Sequence, residues 1–169
     1  VIDICKNKGL IPFLDMAYQG FAAGIDQDGV AVRLFAESGM SFFVSSSFSK
    51  SFSLYGERVG ALSIVTQSKD ESTRVLSQLK RVIRTNYSNP PTHGAAIAAA
   101  VLNSPELRKL WEDELAEMRD RIKAMRQGLV QKLAAAGVNQ DFAFIEKQRG
   151  MFSYSGLTAE QVDRLQKED

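Results

Sequence analysis

Three short apolar segments, with an amphipathic segment between the first two, restrict the first part of the chain to one class of fold. Residues 9–15 are a mostly apolar run that ends in an acid, and residues 40–46 and 59–65 are two more runs of strand length. Residues 26–38 place apolar side chains on one helical face, and Gly39 marks the end of that helix. This order of strand, helix and strand predicts an α/β fold with right-handed crossovers.

The polar residues at the ends of the first two predicted strands indicate where a ligand would bind. Asp15 ends the first strand, and a serine-rich turn at 47–50 follows the second. Ligands of open α/β sheets bind beyond the carboxyl ends of the strands. A carboxylate at the end of an apolar strand is costly without a partner, so Asp15 is either a ligand-binding residue or a turn or helix-capping aspartate.

The pattern after the third strand is mainly helical. Apolar periodicity predicts helices over residues 70–84, 95–102 and 105–136, and a last helix opens at Thr158. Residues 86–91 end the first of these helices, because proline cannot donate a helical hydrogen bond and restricts the residue before it.

A boundary near residue 103 divides the chain into two predicted units, 1–103 and 104–169. The second unit begins with the long helix and also contains two predicted short strands, at 142–145 and 151–155. The long helix is predicted to bury one apolar stripe, formed by Leu107, Leu110, Trp111, Leu115, Met118, Ile122, Met125 and Leu129.

Composition and charge exclude several classes of partner. The 169 residues include 44% hydrophobic and 24% charged residues and carry a net charge of +1, which provides no field for nucleic acid or an anionic membrane. No apolar run approaches the roughly 20 residues that span a bilayer, and the first residues do not resemble a secretory signal. A single cysteine, Cys5, excludes an internal disulfide and favours a reducing compartment, so we expect a cytoplasmic protein. We predict no metal site.

One lysine, Lys50, lies in a hydroxyl-rich turn that suits covalent chemistry. An amine attacks a carbonyl only when it is unprotonated, a form that burial and a nearby cation favour. Arg58 stays charged and, with Ser47 and Ser49, would bind an anion. An imine-forming lysine beside a phosphate site is what pyridoxal 5′-phosphate requires of a protein. By itself, the same pattern also fits an ordinary serine-rich turn beside a strand.

Four segments, in order along the chain, resemble one enzyme family. They are residues 12–21 (PFLDMAYQGF), 45–60 (SSSFSKSFSLYGERVG), 84–91 (RTNYSNPP) and 149–157 (RGMFSYSGL). The chain is therefore identified as a member of the aspartate/aromatic (tyrosine) aminotransferase family, the class I pyridoxal-phosphate-dependent enzymes of fold type I.

The resemblance implies a fold and an extent. It implies part of a three-layer, cofactor-binding large domain with a mixed, mostly parallel sheet, followed by part of a smaller α+β domain. Enzymes of this family are more than twice as long, so we expect this chain to be a fragment; the alternative is a small stand-alone domain. The family's second carboxylate-binding arginine has no counterpart in this sequence.

The resemblance also implies roles for the residues around the cofactor. Lys50 would form the imine with pyridoxal phosphate and then shuttle a proton, and Asp15 would hold the protonated ring nitrogen. Tyr18, also expected to be catalytic, would hydrogen-bond the ring hydroxyl and favour its ionised form, although as a bare aromatic it would more often serve packing. Ser47, Ser49 and Arg58 would bind the phosphate, with Ser49 alternatively shaping the turn only.

The substrate side of the implied site depends on Arg84. In the family this arginine binds the side-chain carboxylate of a dicarboxylic substrate across a homodimer interface, whereas by itself it also fits a solvated basic helix end. The implied reaction moves an amino group between an aromatic or dicarboxylic L-amino acid and a 2-oxo acid, usually 2-oxoglutarate. The alternatives are a lyase or decarboxylase of the same fold, and a non-catalytic piece that contributes a dimer interface. His93 is expected to be a surface or packing residue.

Overall fold

The computed structural model describes residues 1–168; Asp169, the last residue of the predicted second unit, lies outside that range. The strands all fall in the first 65 residues, and helices make up most of the rest. In chain order the elements are α1 (Ile2–Lys8), β1 (Phe13–Met16), α2 (Ile25–Asp28), α3 (Val30–Glu37), β2 (Phe42–Ser47), β3 (Gly60–Val65), α4 (Lys69–Asn86), α5 (His93–Asn103), α6 (Pro105–Ala135) and α7 (Ala159–Glu168), with 3₁₀ turns at Tyr55–Glu57 and Ala143–Ile145.

The three strands form one mixed sheet in the order β1-β2-β3. β1 runs parallel to the central β2, with Asp15 beside Ser45, and β3 returns antiparallel, with Gly60 opposite Ser47. Gly60 allows this close pairing, because a Cβ there would lie 2.7 Å from the carbonyl oxygen of Ser46. The predicted α/β class and the mixed sheet are confirmed.

The connection between β1 and β2 covers one face of the sheet. The single helix predicted over 26–38 is two helices, α2 and α3, which meet at Gly29. Phe35 of α3 packs against Phe42 and Val44 of β2, and these three buried side chains form the hydrophobic core cluster. Burying three such side chains contributes roughly 1.5–3 kcal/mol each.

Both long helices begin at serine caps. The Ser68 hydroxyl accepts the N–H of Glu71 at the start of α4, and the Ser104 hydroxyl accepts the N–H of Leu107 at the start of α6. The predicted helices over 70–84, 95–102 and 105–136 are therefore confirmed, with ends that differ by a few residues.

The two short strands predicted after α6 are wrong. Residues 142–145 contain a 3₁₀ turn, and residues 151–155 form neither helix nor strand. In the first region the Phe142 and Ala143 carbonyls accept local N–H groups within the turn. In the second region the guanidinium of Arg126 binds the Phe152 carbonyl, and those of Gln148 and Gly150 just before it, in place of a neighbouring strand.

The apolar stripe predicted for α6 is only partly buried. Leu115 is almost fully buried, because α6 packs against α5 and the 3₁₀ turn Ala143–Ile145 along part of its length. None of the helices within residues 1–168 is both long and apolar enough to cross a membrane. The exposed members of the predicted stripe are Leu107, Leu110, Met118, Met125 and Leu129.

Candidate active site

Asp15 lies at the carboxyl end of β1, as predicted, but in a more open environment. The sequence predicts a buried strand, whereas alternate residues of β1 are exposed, including Phe13 and Asp15. The Ser45 hydroxyl donates a hydrogen bond to Asp15 Oδ1. The other carboxylate oxygen accepts no hydrogen bond from residues 1–168, so it is free to accept one from a ring N–H.

The turn after β2 holds Lys50 between two buried serines, Ser49 and Ser51. The Ser53 N–H donates to the Lys50 carbonyl at 3.1 Å, and the Ser49 N–H donates to Ser47 Oγ at 3.2 Å. A hydroxyl that accepts an N–H keeps its own proton, so Ser47 can still donate to an anion. The backbone of Lys50 is thus held while its side chain extends from the turn.

Tyr18 lies directly beside the lysine. The Lys50 Nζ is 5.1 Å from the centre of the Tyr18 ring, in the geometry of a cation–π contact. The edge of the Phe152 ring meets the same tyrosine, with 5.5 Å between ring centres and an interplanar angle of 82°. The fold therefore brings together two residues predicted to be catalytic and one that the sequence did not single out.

Arg58 follows the 3₁₀ turn Tyr55–Glu57 and adopts a left-handed backbone conformation, with φ of 51°. This conformation costs a non-glycine residue about 1–2 kcal/mol, so the surrounding structure imposes it. One guanidinium nitrogen donates to the Tyr55 carbonyl at 3.1 Å. The exposed remainder of the guanidinium is available to bind an anion.

A cleft of about 410 Å³, which we call the anion cleft, joins Asp15 at the end of β1 to Arg58 and the serines of the turn; Lys50 and Tyr18 do not line it. Its wall contains a carboxylate, several hydroxyls and a guanidinium, a set of groups that fits a ligand with both an N–H donor and an anionic group. The sequence did not identify its tyrosine, although that residue lies within the segment 84–91 that carried the resemblance. The polar lining residues are Asp15, Ser45, Ser46, Ser47, Ser49, Arg58 and Tyr87.

A second cleft of about 410 Å³, which we call the aromatic cleft, begins at the same aspartate. One of its walls is the segment after the 3₁₀ turn Ala143–Ile145, which lies far along the chain from β1. The lining residues include Asp15, Tyr18, Asp28, Arg149, Gly150 and Phe152.

Asp28 organises the loop that follows Tyr18. Its carboxylate accepts the N–H groups of Gly20, Ala22 and Ala23 at 2.8, 3.0 and 2.9 Å. Burial alone raises the pKa of this carboxyl, but the backbone hydrogen bonds outweigh burial and lower its pKa below the usual value. The sequence reasoning missed Asp28; the glycines that precede it were a usable signal of a tight loop.

Arg84 is not brought to either cleft within this chain. It lies exposed in the last turn of α4 and donates a hydrogen bond to the Ser88 hydroxyl. Ser88 has a φ of 70°, so the helix ends in a strained turn beneath the arginine. His93 is exposed at the start of α5 and lines neither cleft.

Comparison with known proteins places this arrangement in a family. The family model described as aminotransferase class I and II matches residues 1–168. An aspartate aminotransferase of Pseudomonas aeruginosa is 73% identical over 99% of this chain and 42% of its own length. An aromatic-amino-acid aminotransferase of Escherichia coli (strain K12) is 54% identical over the same shares of both chains.

A solved structure shows the same fold. The aromatic-amino-acid aminotransferase of Burkholderia pseudomallei, covalently bound to pyridoxal phosphate, superimposes with a TM-score of 0.97 and 71% identity over 99% of this chain and 42% of the other. The present chain thus spans about 42% of the length of these relatives. Its sequence and fold agree with theirs, and the chain belongs to the aminotransferase class I and II family.

Proposed function

We propose that the protein containing this chain is a pyridoxal-phosphate-dependent aminotransferase. It would move an amino group between an aromatic or dicarboxylic L-amino acid and a 2-oxo acid such as 2-oxoglutarate. The observation that carries the proposal is the position of Lys50, which extends from a held turn toward Tyr18, a residue that lines the aromatic cleft. The names of the aspartate and aromatic relatives support both substrate classes.

The residues of the anion cleft fit the cofactor. The free oxygen of Asp15 would accept a hydrogen bond from a protonated ring nitrogen, and Arg58 would bind the phosphate with the hydroxyls of Ser47 and Ser49. Pyridoxal phosphate, when bound, supplies an electron-poor ring that takes up the electron pair released at the substrate's α-carbon.

The chain's own side chains would manage the protons. The Lys50 amine, once free and neutral, would take the proton from the substrate's α-carbon on its Nζ and return it on the other side of the transferred nitrogen. The Tyr18 hydroxyl would donate a hydrogen bond to the ring oxygen and so favour its ionised form. Phe152 would limit the access of water to this face.

Arg84 would act outside its own subunit. It lines neither cleft of its own chain, which supports a homodimer in which it faces the partner's site and binds a substrate carboxylate. We further propose that residues 1–103 belong to the cofactor-binding unit and 104–169 to a second unit, and that the protein acts in the cytoplasm. A non-catalytic interface role is the alternative, which the exposed apolar side chains of α6 favour.

Lys50 is tested directly in the full-length protein. After loading with pyridoxal phosphate and reduction with borohydride, we expect the cofactor mass on the peptide that contains Lys50, measured by mass spectrometry. Lys50→Ala should abolish this label and lower kcat by about 10²–10⁴-fold. Lys109→Ala is the control, because Lys109 lies on the surface of α6 paired with Asp113. Normal turnover by Lys50→Ala would rule out the proposed function.

A further inference from the structure

Arg126 is a buried cation that no carboxylate among residues 1–168 neutralises. Its side chain lies on α6, and the residue is only 6% exposed. The guanidinium instead donates to four oxygens of one segment: Ser153 Oγ at 2.8 Å and the carbonyls of Gln148, Gly150 and Phe152 at 2.8, 2.5 and 2.9 Å. Such a set uses four of the five N–H donors of the planar guanidinium, and a lysine would not reproduce it.

The segment bound by Arg126, residues 148–153, depends on side chains for its shape. It belongs to no helix or strand, so the usual backbone partners of its carbonyls are missing. The Gln148 side chain forms two hydrogen bonds with the backbone of Tyr154: it donates to the Tyr154 carbonyl at 2.8 Å and accepts the Tyr154 N–H at 2.6 Å. Gly150 has a φ of 83°, which allows the sharp turn that presents its carbonyl to the arginine.

The same segment forms one wall of the aromatic cleft. Residues 149–152 line the cleft opposite Asp15 and Tyr18. The Phe152 ring forms a T-shaped contact with the Tyr18 ring, but the residue is 74% exposed, so the backbone of the segment largely sets its position. The position of Phe152 over Tyr18 therefore follows from where Arg126 fixes the Phe152 carbonyl.

We propose that Arg126 is a positioning residue of the active site: it holds residues 148–153 so that Phe152 covers Tyr18 and closes the aromatic cleft. The inference rests on the proposed function. When the arginine is lost, the segment loosens, water reaches the Tyr18 hydroxyl, and the hydrogen bond of Tyr18 to the cofactor ring weakens. Substrate binding weakens as well, because one wall of the cleft is no longer formed in advance.

The test uses the full-length, cofactor-loaded protein with Arg126→Lys, Arg126→Met and the control Arg121→Met. Arg121 is an exposed arginine of the same helix, five positions before Arg126 (126 − 121 = 5). The readouts are hydrogen exchange of the 148–153 peptide, the pH midpoint of the cofactor absorbance change, and kcat and KM measured separately.

We expect Arg126→Met to speed exchange in the segment and to raise KM for the amino acid by about tenfold, the effect of losing one charge-assisted hydrogen bond. The pH midpoint should rise by about half a unit to one unit, since the Tyr18 bond that favours the ionised ring is weakened. The change in kcat should be smaller than the change in KM. Arg126→Lys should be intermediate, and Arg121→Met should match the parent.

If Arg126→Met does not fold, Ser153→Ala and Phe152→Leu replace it. Ser153→Ala removes one of four acceptors and should give a small shift in the same readouts, whereas Phe152→Leu should shift the pH midpoint without changing exchange at residues 148–150. A loosened segment with an unchanged midpoint and KM would overturn the proposal and leave a structural role only. Hydrogen exchange is also measured without cofactor. The hold of Arg126 on the segment is then tested even if Lys50 does not take the cofactor, so the two proposals can fail separately.

Discussion

At the scale of single residues, the site depends on polar side chains that form hydrogen bonds with the backbone of nearby loops. Asp28 is one of them, since three N–H groups of the loop after Tyr18 converge on its carboxylate. Its pKa is affected by burial, which raises it, and by the backbone hydrogen bonds, which lower it more. A carboxyl whose pKa is lower in the folded than in the unfolded protein stabilises the fold above the unfolded pKa, and this stabilisation is lost as the pH falls through the folded pKa.

We expect Asp28→Asn to destabilise the full-length protein by about 1 kcal/mol at pH 7, a modest value because the site is partly exposed. The difference from the parent should begin to shrink below about pH 4, near the unfolded pKa, and should be lost as the pH falls through the lower folded pKa, where Asp28 of the folded parent becomes neutral. Urea unfolding of the parent and of Asp28→Asn at pH 7 and at pH 3.5 measures this difference in unfolding free energy. Asp26→Asn is the control, since the Asp26 side chain is exposed and should give little difference. A difference that is independent of pH would contradict the account.

At the scale of elements, one face of α6 supports three separate parts of the site. Trp111 Nε1 donates to the carbonyl of Ser51 at 2.6 Å, and the Trp111 ring stacks on Phe52 at 4.4 Å, behind the Lys50 turn. Leu115, one turn later, packs beneath the loop after Tyr18, where a Cβ on Gly20 would lie 2.4 Å from Leu115 Cδ2. Arg126, three turns further on the same face, holds the segment 148–153.

Two substitutions at Trp111 separate its hydrogen bond from its stacking. Trp111→Phe keeps a ring on Phe52 and leaves the Ser51 carbonyl without its donor, which should cost about 1 kcal/mol. Trp111→Leu also loses the stacking, a further ~0.5–1.5 kcal/mol, and should release the cofactor faster. Urea unfolding and the rate of cofactor loss measure these effects in the full-length protein.

The control for Trp111 is Leu110→Ala on the neighbouring, exposed position of α6. It changes the same helix without touching the Lys50 turn, so cofactor retention should stay at the parent level. Equal cofactor loss in Leu110→Ala and Trp111→Leu would mean that the helix as a whole, and not the contact with Ser51 and Phe52, determines retention.

At the scale of the whole molecule, the chain leaves much apolar surface uncovered. It exposes 12250 Å², whereas a compact monomer of 18.7 kDa exposes about 8,300 Å². Among residues 1–168, nine hydrophobic residues are buried and 24 large ones are exposed, including members of β3 and of α6. The chain spans about 42% of the length of its relatives, and its own residues supply only a small core.

We therefore expect the 169-residue chain alone to be marginally stable. It should bind a hydrophobic dye, unfold at low urea with a broad transition, and take up pyridoxal phosphate weakly or not at all, with no turnover. Circular dichroism, dye fluorescence and borohydride labelling of Lys50 measure this, with the full-length protein as the control. A sharp cooperative transition together with full labelling of Lys50 in the chain alone would contradict the expectation.

Local sequence patterns were sufficient to predict much of the fold and part of the candidate site. Apolar runs and helix periodicity predicted the three strands and the long helices. The hydroxyl-rich turn and Arg58 predicted an anion site, and Ser47, Ser49 and Arg58 all line the anion cleft. These features are recognisable because strand and helix periodicity, serine caps and turn residues depend on near neighbours in the chain. The four family motifs extended the prediction from the fold to the kind of chemistry.

Only the tertiary structure decided the rest. Whether residues 151–155 form a strand depended on a guanidinium from α6, and whether the apolar stripe of α6 is buried depended on which elements pack on it. The contact of Phe152 with Tyr18 joins residues 134 positions apart (152 − 18 = 134). A backbone carbonyl accepts a hydrogen bond from a side chain as readily as from a strand, and local sequence does not record which donor lies nearby.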